Sequence, residues 1–299
     1  NYHYIDDFSR LQYKDDCVSA NLFYNRSNRR NQTYSVTDSK WTKLDHLRFD
    51  TIGLDLQKQL TCNFGDVIVG TTISRDSYKN DISVAKKINP GTKINEFRTN
   101  YAVFAQLSKD LGAGYTATVG ARETVVEGNK RYNAFTPQFA LLKKLDNNSS
   151  LYANAAKSFK MPTFTQMYGG GASHVAPNPF LRPEEGWTYE FGYKKSSKTS
   201  MFKTALYYMD LDTIEYEGKG TSDDPSITRN MSFKNKGLEV TYEKDFGSKY
   251  SYSLGANFCN PMGKNKKGVW ERKFAREQYN ASIKYHDAKF NAALTGMFT

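Results

Sequence analysis

The sequence predicts an all-β fold, a transmembrane antiparallel β-barrel, and three observations predict it. The first is alternation with a period of two. Trp187, Tyr189, Phe191 and Tyr193 interleave with Thr188, Glu190, Gly192 and Lys194, which on a strand gives one apolar and one polar face. The second is composition: hydrophobic residues are only 38%, yet aromatics reach 14%, with 21 Tyr and 19 Phe. Such a chain suits a surface apolar on one side and wet on the other, with aromatic girdles at the boundaries. The third is the spacing of connections, tight on one side and mostly long on the other, with strands of about ten residues, the length of a tilted crossing.

Taken in order, Phe8 to Lys14 and Val18 to Tyr24 form a hairpin around Asp15-Asp16, and the polar segment from Asn25 to Lys43 reads as a loop. Ile52, Leu54 and Leu56 mark the next strand, and a turn at Asn63-Phe64-Gly65-Asp66 leads to Val67, Val69, Thr71 and Ile73. Ser74 to Asn95 reads as a second long loop. Tyr101 to Leu107 and Tyr115 to Ala121 flank a turn at Asp110 to Gly114, and Glu127 to Arg131 reads as a third, shorter crossing. Phe135 to Leu145 and Ser150 to Phe159 pair around Asp146-Asn147-Asn148. Beyond the Gly- and Pro-rich stretch that follows, strands are expected at Trp187 to Tyr193, Phe202 to Tyr208, Gly237 to Glu243, Tyr250 to Phe258, Tyr279 to Tyr285 and Phe290 to Phe298. Polar loops at Gly218 to Pro225 and Asn260 to Lys273 separate some of them. About fifteen strands result.

No run of about eighteen apolar residues is present, so a transmembrane helix is excluded. The net charge of +11 is spread among acids rather than clustered, which argues against nucleic acid as a partner. Cys17, Cys62 and Cys259 lack metal-ligand spacing and read as isolated thiols. The four histidines are scattered, and no P-loop, HExxH or GxSxG occurs, which argues against an enzyme. No intrinsic cofactor is expected.

Phe159-Lys160-Met161-Pro162 and Asn178-Pro179-Phe180-Leu181-Arg182-Pro183-Glu184, with strands on either side, resemble two boxes of TonB-dependent outer-membrane receptors of the siderophore and haem class. Lys160-Met161 stands for Arg-Ala and Phe180 for a second Asn. The hairpin VFAQLSKDL…YTATVGARE and the strand from Gly237 to Tyr242 resemble further family patterns. The resemblance implies that residues 1–299 are part of one outer-membrane barrel domain of about 22 strands, the N-terminal plug and last strands lying outside the chain. It implies uptake of a ferric siderophore or haem, powered by TonB with ExbB and ExbD acting through the plug, in the bacterial outer membrane with its lipopolysaccharide. A passive porin or structural barrel is the alternative.

Within this resemblance His174 is the candidate axial ligand to haem iron, and Tyr168 a second, since phenolate also binds ferric haem. Phe164, Tyr168 and Trp270 are candidates to stack on a planar ligand, with a girdle or packing role equally open. Arg229, with other loop cations such as Arg26, Arg75 and Lys264, is a candidate to attract an anionic chelate. The family-motif residues Phe159, Pro162, Asn178, Pro179, Leu181, Pro183 and Glu184 are expected to fix the loop's path more than to touch ligand, since proline restricts its own φ and its predecessor.

Overall fold

The computed structural model describes residues 2–35, 40–82, 93–169, 175–221 and 224–299, and of 2, 31–35 and 40–45 the backbone alone. Strands β1 (Tyr2–Lys14), β2 (Val18–Ser35), β3 (Lys40–Cys62), β4 (Gly65–Ile82), β5 (Lys93–Gly112), β6 (Tyr115–Glu127), β7 (Tyr132–Lys144) and β8 (Ser149–Lys160) come first. A short helix, α1 (Phe164–Tyr168), and the two-residue β9 (Val175–Ala176) follow. Then come β10 (Glu184–Ser196), β11 (Ser200–Glu217), β12 (Ser226–Phe246), β13 (Tyr250–Cys259), β14 (Met262–Lys264), β15 (Trp270–Arg272), β16 (Glu277–His286) and β17 (Asn291–Phe298). The long strands form an antiparallel meander, each paired with the next, β8 passing to β10 and β13 to β16. Among the described residues β1 pairs only with β2 and β17 only with β16. No helix of the described residues is long and apolar enough to cross a membrane.

Among the described residues seventeen strands, three of them of two or three residues, replace the fifteen expected, and eleven are longer than ten residues. Asn25 to Lys43, expected as a loop, is strand in its described residues, since β2 runs on to Ser35 and β3 begins at Lys40. Ser74 to Asn95 likewise holds the end of β4 and the start of β5. The cause is physical. Once strands leave lipid both faces meet water, so the apolar alternation stops while the hydrogen-bond ladder continues. Glu127 to Arg131 is the end of β6 and a turn rather than a crossing. The basic segment from Asn260 to Lys273 contains the β14–β15 hairpin, in which Met262 pairs with Arg272.

At one end every connection is short, two to four residues, and side-chain acceptors build several of them. Asp15 Oδ1 accepts the amides of Cys17 (2.8 Å) and Val18 (2.7 Å), and Asp287 Oδ1 those of Lys289 and Phe290 (both 2.8 Å). Asp146 and Ser197 accept amides in the same way. An Asx or Ser side chain that mimics a backbone turn makes such reversals cheap.

Cross-strand register separates two faces. Leu22 faces Leu54 and then Ile73, and Tyr189 faces Tyr208. This apolar face is exposed, with Ile52 at 53%, Leu206 at 57% and Leu254 at 49%. Rings cluster towards its two ends: Trp187, Tyr189 and Tyr208 stack near the long connections, and Tyr250, Tyr285 and Phe290 meet near the tight turns. The opposite face carries polar pairs such as Asn21–Asp55, Gln106–Gln138 and Tyr152–Glu190. An apolar band bounded by aromatic girdles, with a polar reverse, is the pattern of a lipid-facing barrel wall.

Candidate functional site

The segment between β8 and β10 closes over the polar face at the long-connection end. Its helix is nucleated by a capping box. Thr163 Oγ1 accepts the Gln166 amide, and the Gln166 side chain accepts the Thr163 amide, so two donors that a helix start leaves orphaned are satisfied. Gly169, at φ +71°, ends the helix in the left-handed region, where a side chain is strained.

One flank of the segment docks on β3, β4 and β5. Phe164 is buried with Leu47 and Tyr78, with Phe49, Ile94 and Tyr168 packed around them. Its ring stacks 5.7 Å from that of Tyr78, whose hydroxyl donates to Gly169 O at 2.9 Å. The Arg98 guanidinium lies 4.8 Å over the Phe164 ring, donates to Pro162 O at 2.7 Å and pairs with Asp76 at 3.0 Å. The other flank docks on β12. Thr228 Oγ1 donates to Gln166 O (3.1 Å), and Asn178 Nδ2 donates to Thr228 O (2.7 Å). Asn230 exchanges two 2.9 Å bonds with the backbone of Arg182.

These anchors require the sheet to bend. Gln166 and Gly169 are three residues apart, about 10 Å of chain at most. They nevertheless touch β12 and β4, which are seven strand spacings apart, about 34 Å along a flat sheet. The sheet therefore wraps around the segment, with the polar face inward.

The exit of the segment is held by Glu184. Its Oε1 accepts the Thr213 hydroxyl (2.5 Å) and the Ile214 amide (2.8 Å), and its Oε2 pairs with Lys160 at 3.0 Å. Burial works to raise this carboxyl, but the bonds from Thr213, Lys160 and Ile214 outweigh it and hold it below the ordinary glutamate range. Asn178 Oδ1 also accepts the Phe180 amide at 3.1 Å, an Asx turn that reverses the chain. Pro162 and Leu181 are buried, Pro183 is half-buried and Pro179 is exposed. Phe159 is half-buried on the apolar face, paired with Glu185.

The sequence-predicted ligand residues do not all come together. Phe164 and Tyr168 sit side by side in α1, rings 6.2 Å apart. The Tyr168 hydroxyl accepts from Asn129 Nδ2 at 3.0 Å, and burial, then the Glu96 carboxylate, push its pKa up, which raises the cost of forming a phenolate. Trp270 lies instead between Lys234 and Lys264, 5.6 and 5.3 Å from its ring; Lys234 shares the apolar face with Tyr208. Arg229 is on the polar face, alternating with Thr228, but it is paired with Glu215 and with Glu217 (2.8 Å), and Lys273 joins Glu215 at 2.8 Å. Its charge is thus compensated. His174, and Gly170 and Gly171 beside it, lie outside the described residues. Among the described residues no group of His, Cys, Asp and Glu is placed to hold a metal ion. The docking residues Tyr78, Arg98, Thr228 and Asn230 were not singled out from sequence. Each sits on a strand distant in sequence from the segment it holds, and only the Thr163-x-x-Gln166 pattern of a capping box pointed locally to α1.

A family model described as TonB dependent receptor-like, beta-barrel matches residues 1–298. No curated protein matches the chain in sequence. Solved structures match in fold. The copper transporter OprC superposes with a TM-score of 0.72 at 13% identity, over 98% of this chain and 51% of its own. The FrpB iron transporter from Neisseria meningitidis gives 0.71 at 14%, over 98% and 49%. A mutant of the ferric enterobactin receptor PfeA from Pseudomonas aeruginosa gives 0.71 at 15%, over 99% and 49%. The chain thus spans about half the length of these structures. Its apolar band, its polar inner face and the family match along nearly all of its length agree, and the chain belongs to the family of TonB-dependent receptors, within their β-barrel.

Proposed function

We propose that the intact protein is an active transporter of the bacterial outer membrane that captures an iron compound, a ferric siderophore or haem, at the long-connection end of the barrel. Energy comes from TonB, with ExbB and ExbD, acting through a plug inside the barrel. The observation that carries this reading is the docked segment between β8 and β10, in its described residues 161–169 and 175–183. It bends across the inner face at the mouth, tied to β4 and β5 on one side and to β12 on the other, so a solute entering from that end meets it first. At its rim the exposed ring of Phe180 lies 5.2 Å from Lys130 Nζ, an aromatic face beside a cation, suited to a planar anionic chelate. FrpB is an iron transporter by name and PfeA a ferric enterobactin receptor, which supports iron as the cargo.

Growth of a gene-deleted strain on single iron sources tests the reading. A defect on one iron chelate, rescued by the gene only when TonB is present, is expected. Normal growth on all of them, or a defect cured by copper instead, overturns it. Hemin titration separates the two cargo classes. A Soret shift at micromolar hemin that His174→Ala weakens assigns haem; no shift leaves the siderophore.

A further inference from the structure

The apolar face changes character abruptly at the long-connection ends of β2, β3 and β4. Leu22, Ile52 and Ile73 are about half exposed there. Beyond them the same face carries Tyr24 and Arg26 on β2, Asp50 and Arg48 on β3, and Arg75, Ser77 and Lys79 on β4, with Arg26 opposite Asp50 and Arg48 opposite Lys79. Asp50 organises two of these cations. It accepts from Arg26 Nε (2.9 Å), Tyr24 Oη (2.8 Å) and Arg48 Nε (2.6 Å), so it fixes two guanidiniums while cancelling one charge. The Arg75 guanidinium carbon lies over the Phe97 ring, 4.1 Å from its centre. Among the described residues neither Arg75 nor Lys79 has a carboxylate partner. Among the described residues the remaining acids of this face on β1 to β4 are Asp7, opposite Arg26, and Asp81, which is 4.0 Å from Lys93, while Glu127 on β6 pairs with Arg131; Arg30 adds a further cation. Positive charge is in surplus.

The position of this charge matters more than its amount. It is on the lipid-facing side, since Arg98, which touches the docked segment, and Asp76, which pairs with Arg98, alternate with Phe97 and Arg75. It begins within two to four residues of the apolar band, where headgroups lie. A guanidinium that is oriented and stacked matches a phosphate with two parallel hydrogen bonds.

We propose that Arg26, Arg48, Arg75 and Lys79 bind the phosphate groups of outer-leaflet glycolipid, with Leu22, Ile52 and Ile73 against its acyl chains. The inference rests on the reading of this chain as an outer-membrane barrel wall.

The test uses the intact protein in phosphatidylcholine nanodiscs doped with either bis-phosphorylated or dephosphorylated lipid A, with bound lipid counted by native mass spectrometry. The wild type retains the bis-phosphorylated form preferentially. R26Q/R48Q/R75Q/K79Q lowers that retention about tenfold or more, the effect of losing one or two charge-assisted bonds. R75Q/K79Q, which breaks no ion pair, lowers it at least about threefold. K109Q/K143Q, on the same face near the tight turns, leaves it unchanged. A heat-dependent gel shift reports folding of each variant; if the quadruple variant does not fold, R75Q/K79Q decides. Equal retention of the two lipids, or an equal loss in K109Q/K143Q, overturns the proposal. Folded, inserted protein without phosphate preference would do so while leaving the barrel reading intact.

Discussion

Single residues on the polar face show how tightly this wall is fitted. Gly53 lies opposite Phe23, and a Cβ there would come within 2.3 Å of the tip of the Phe23 ring. Gly70 stands in the same relation to Phe104, and Gly192 to Tyr152. Aromatic rings on this face lean over glycines of the neighbouring strand, which fills the space a side chain would take. Gly186 differs in kind, because its Cβ would meet Asp210 O at 2.2 Å and Leu211 Cα at 2.6 Å, both backbone. A ring can turn aside, whereas a ladder-bonded backbone cannot without breaking its pairing. Gly53→Ala is therefore expected to cost less than about 1 kcal/mol, and Gly186→Ala about 1–3 kcal/mol, as overpacking does. Thermal unfolding of the two variants in detergent checks this, and equal midpoints would refute the distinction.

Among the elements, the docked segment is the one whose stability depends on a few polar contacts. Asn178 joins its own Asx turn to β12, so Asn178→Ala is expected to loosen the segment by about 1–2 kcal/mol. Limited digestion with proteinase K reads this out as faster cleavage between β8 and β10, with the strands spared. Glu184 adds a pH dependence. Its carboxyl is held below the ordinary glutamate value, so its contribution is complete above about pH 4.3 and is lost as pH falls through the lowered folded value. Cleavage at that site, measured with an acid-active protease, should rise as pH drops below about 4 in the wild type and stay flat in Glu184→Gln. The strands that carry this segment were legible in the sequence wherever lipid imposes alternation, as at Trp187 to Tyr193, and the turns wherever an Asp or Ser caps them. The extensions of β2 to β5 were not, because in water nothing marks one face from the other. The segment's boxes were legible as a pattern, but their partners Tyr78, Arg98 and Thr228 come from strands that only the curvature of the sheet brings together. Trp270 shows the converse limit: an aromatic in a basic loop reads equally as a ligand platform or a girdle ring, and only the register of β14 and β15 shows that it lies beside Lys234.

For the whole molecule, the assignment of faces decides whether the sheet is a membrane wall, and it can be tested at neighbouring positions of one strand. On β13, Leu254 faces Tyr242 and Ala281 on the apolar side, while Ser253 faces Glu243 and Ser282 on the polar side. Leu254 is 49% exposed, so in water its replacement by a charged residue would cost little, whereas in a bilayer the same site lies within hydrocarbon. Arginine near the midplane of a barrel's lipid face costs about 2–4 kcal/mol, and on the lumenal face far less. Leu254→Arg is therefore expected to lower the folding free energy of the intact protein in lipid vesicles by that amount, and Ser253→Arg by under about 1 kcal/mol. In detergent-free buffer neither variant should gain solubility, because Phe191, Leu206, Ile283 and Leu294 still leave the same face apolar. Equal costs for the two arginines in vesicles, or a soluble Leu254→Arg variant, would mean that the sheet does not meet lipid on this side.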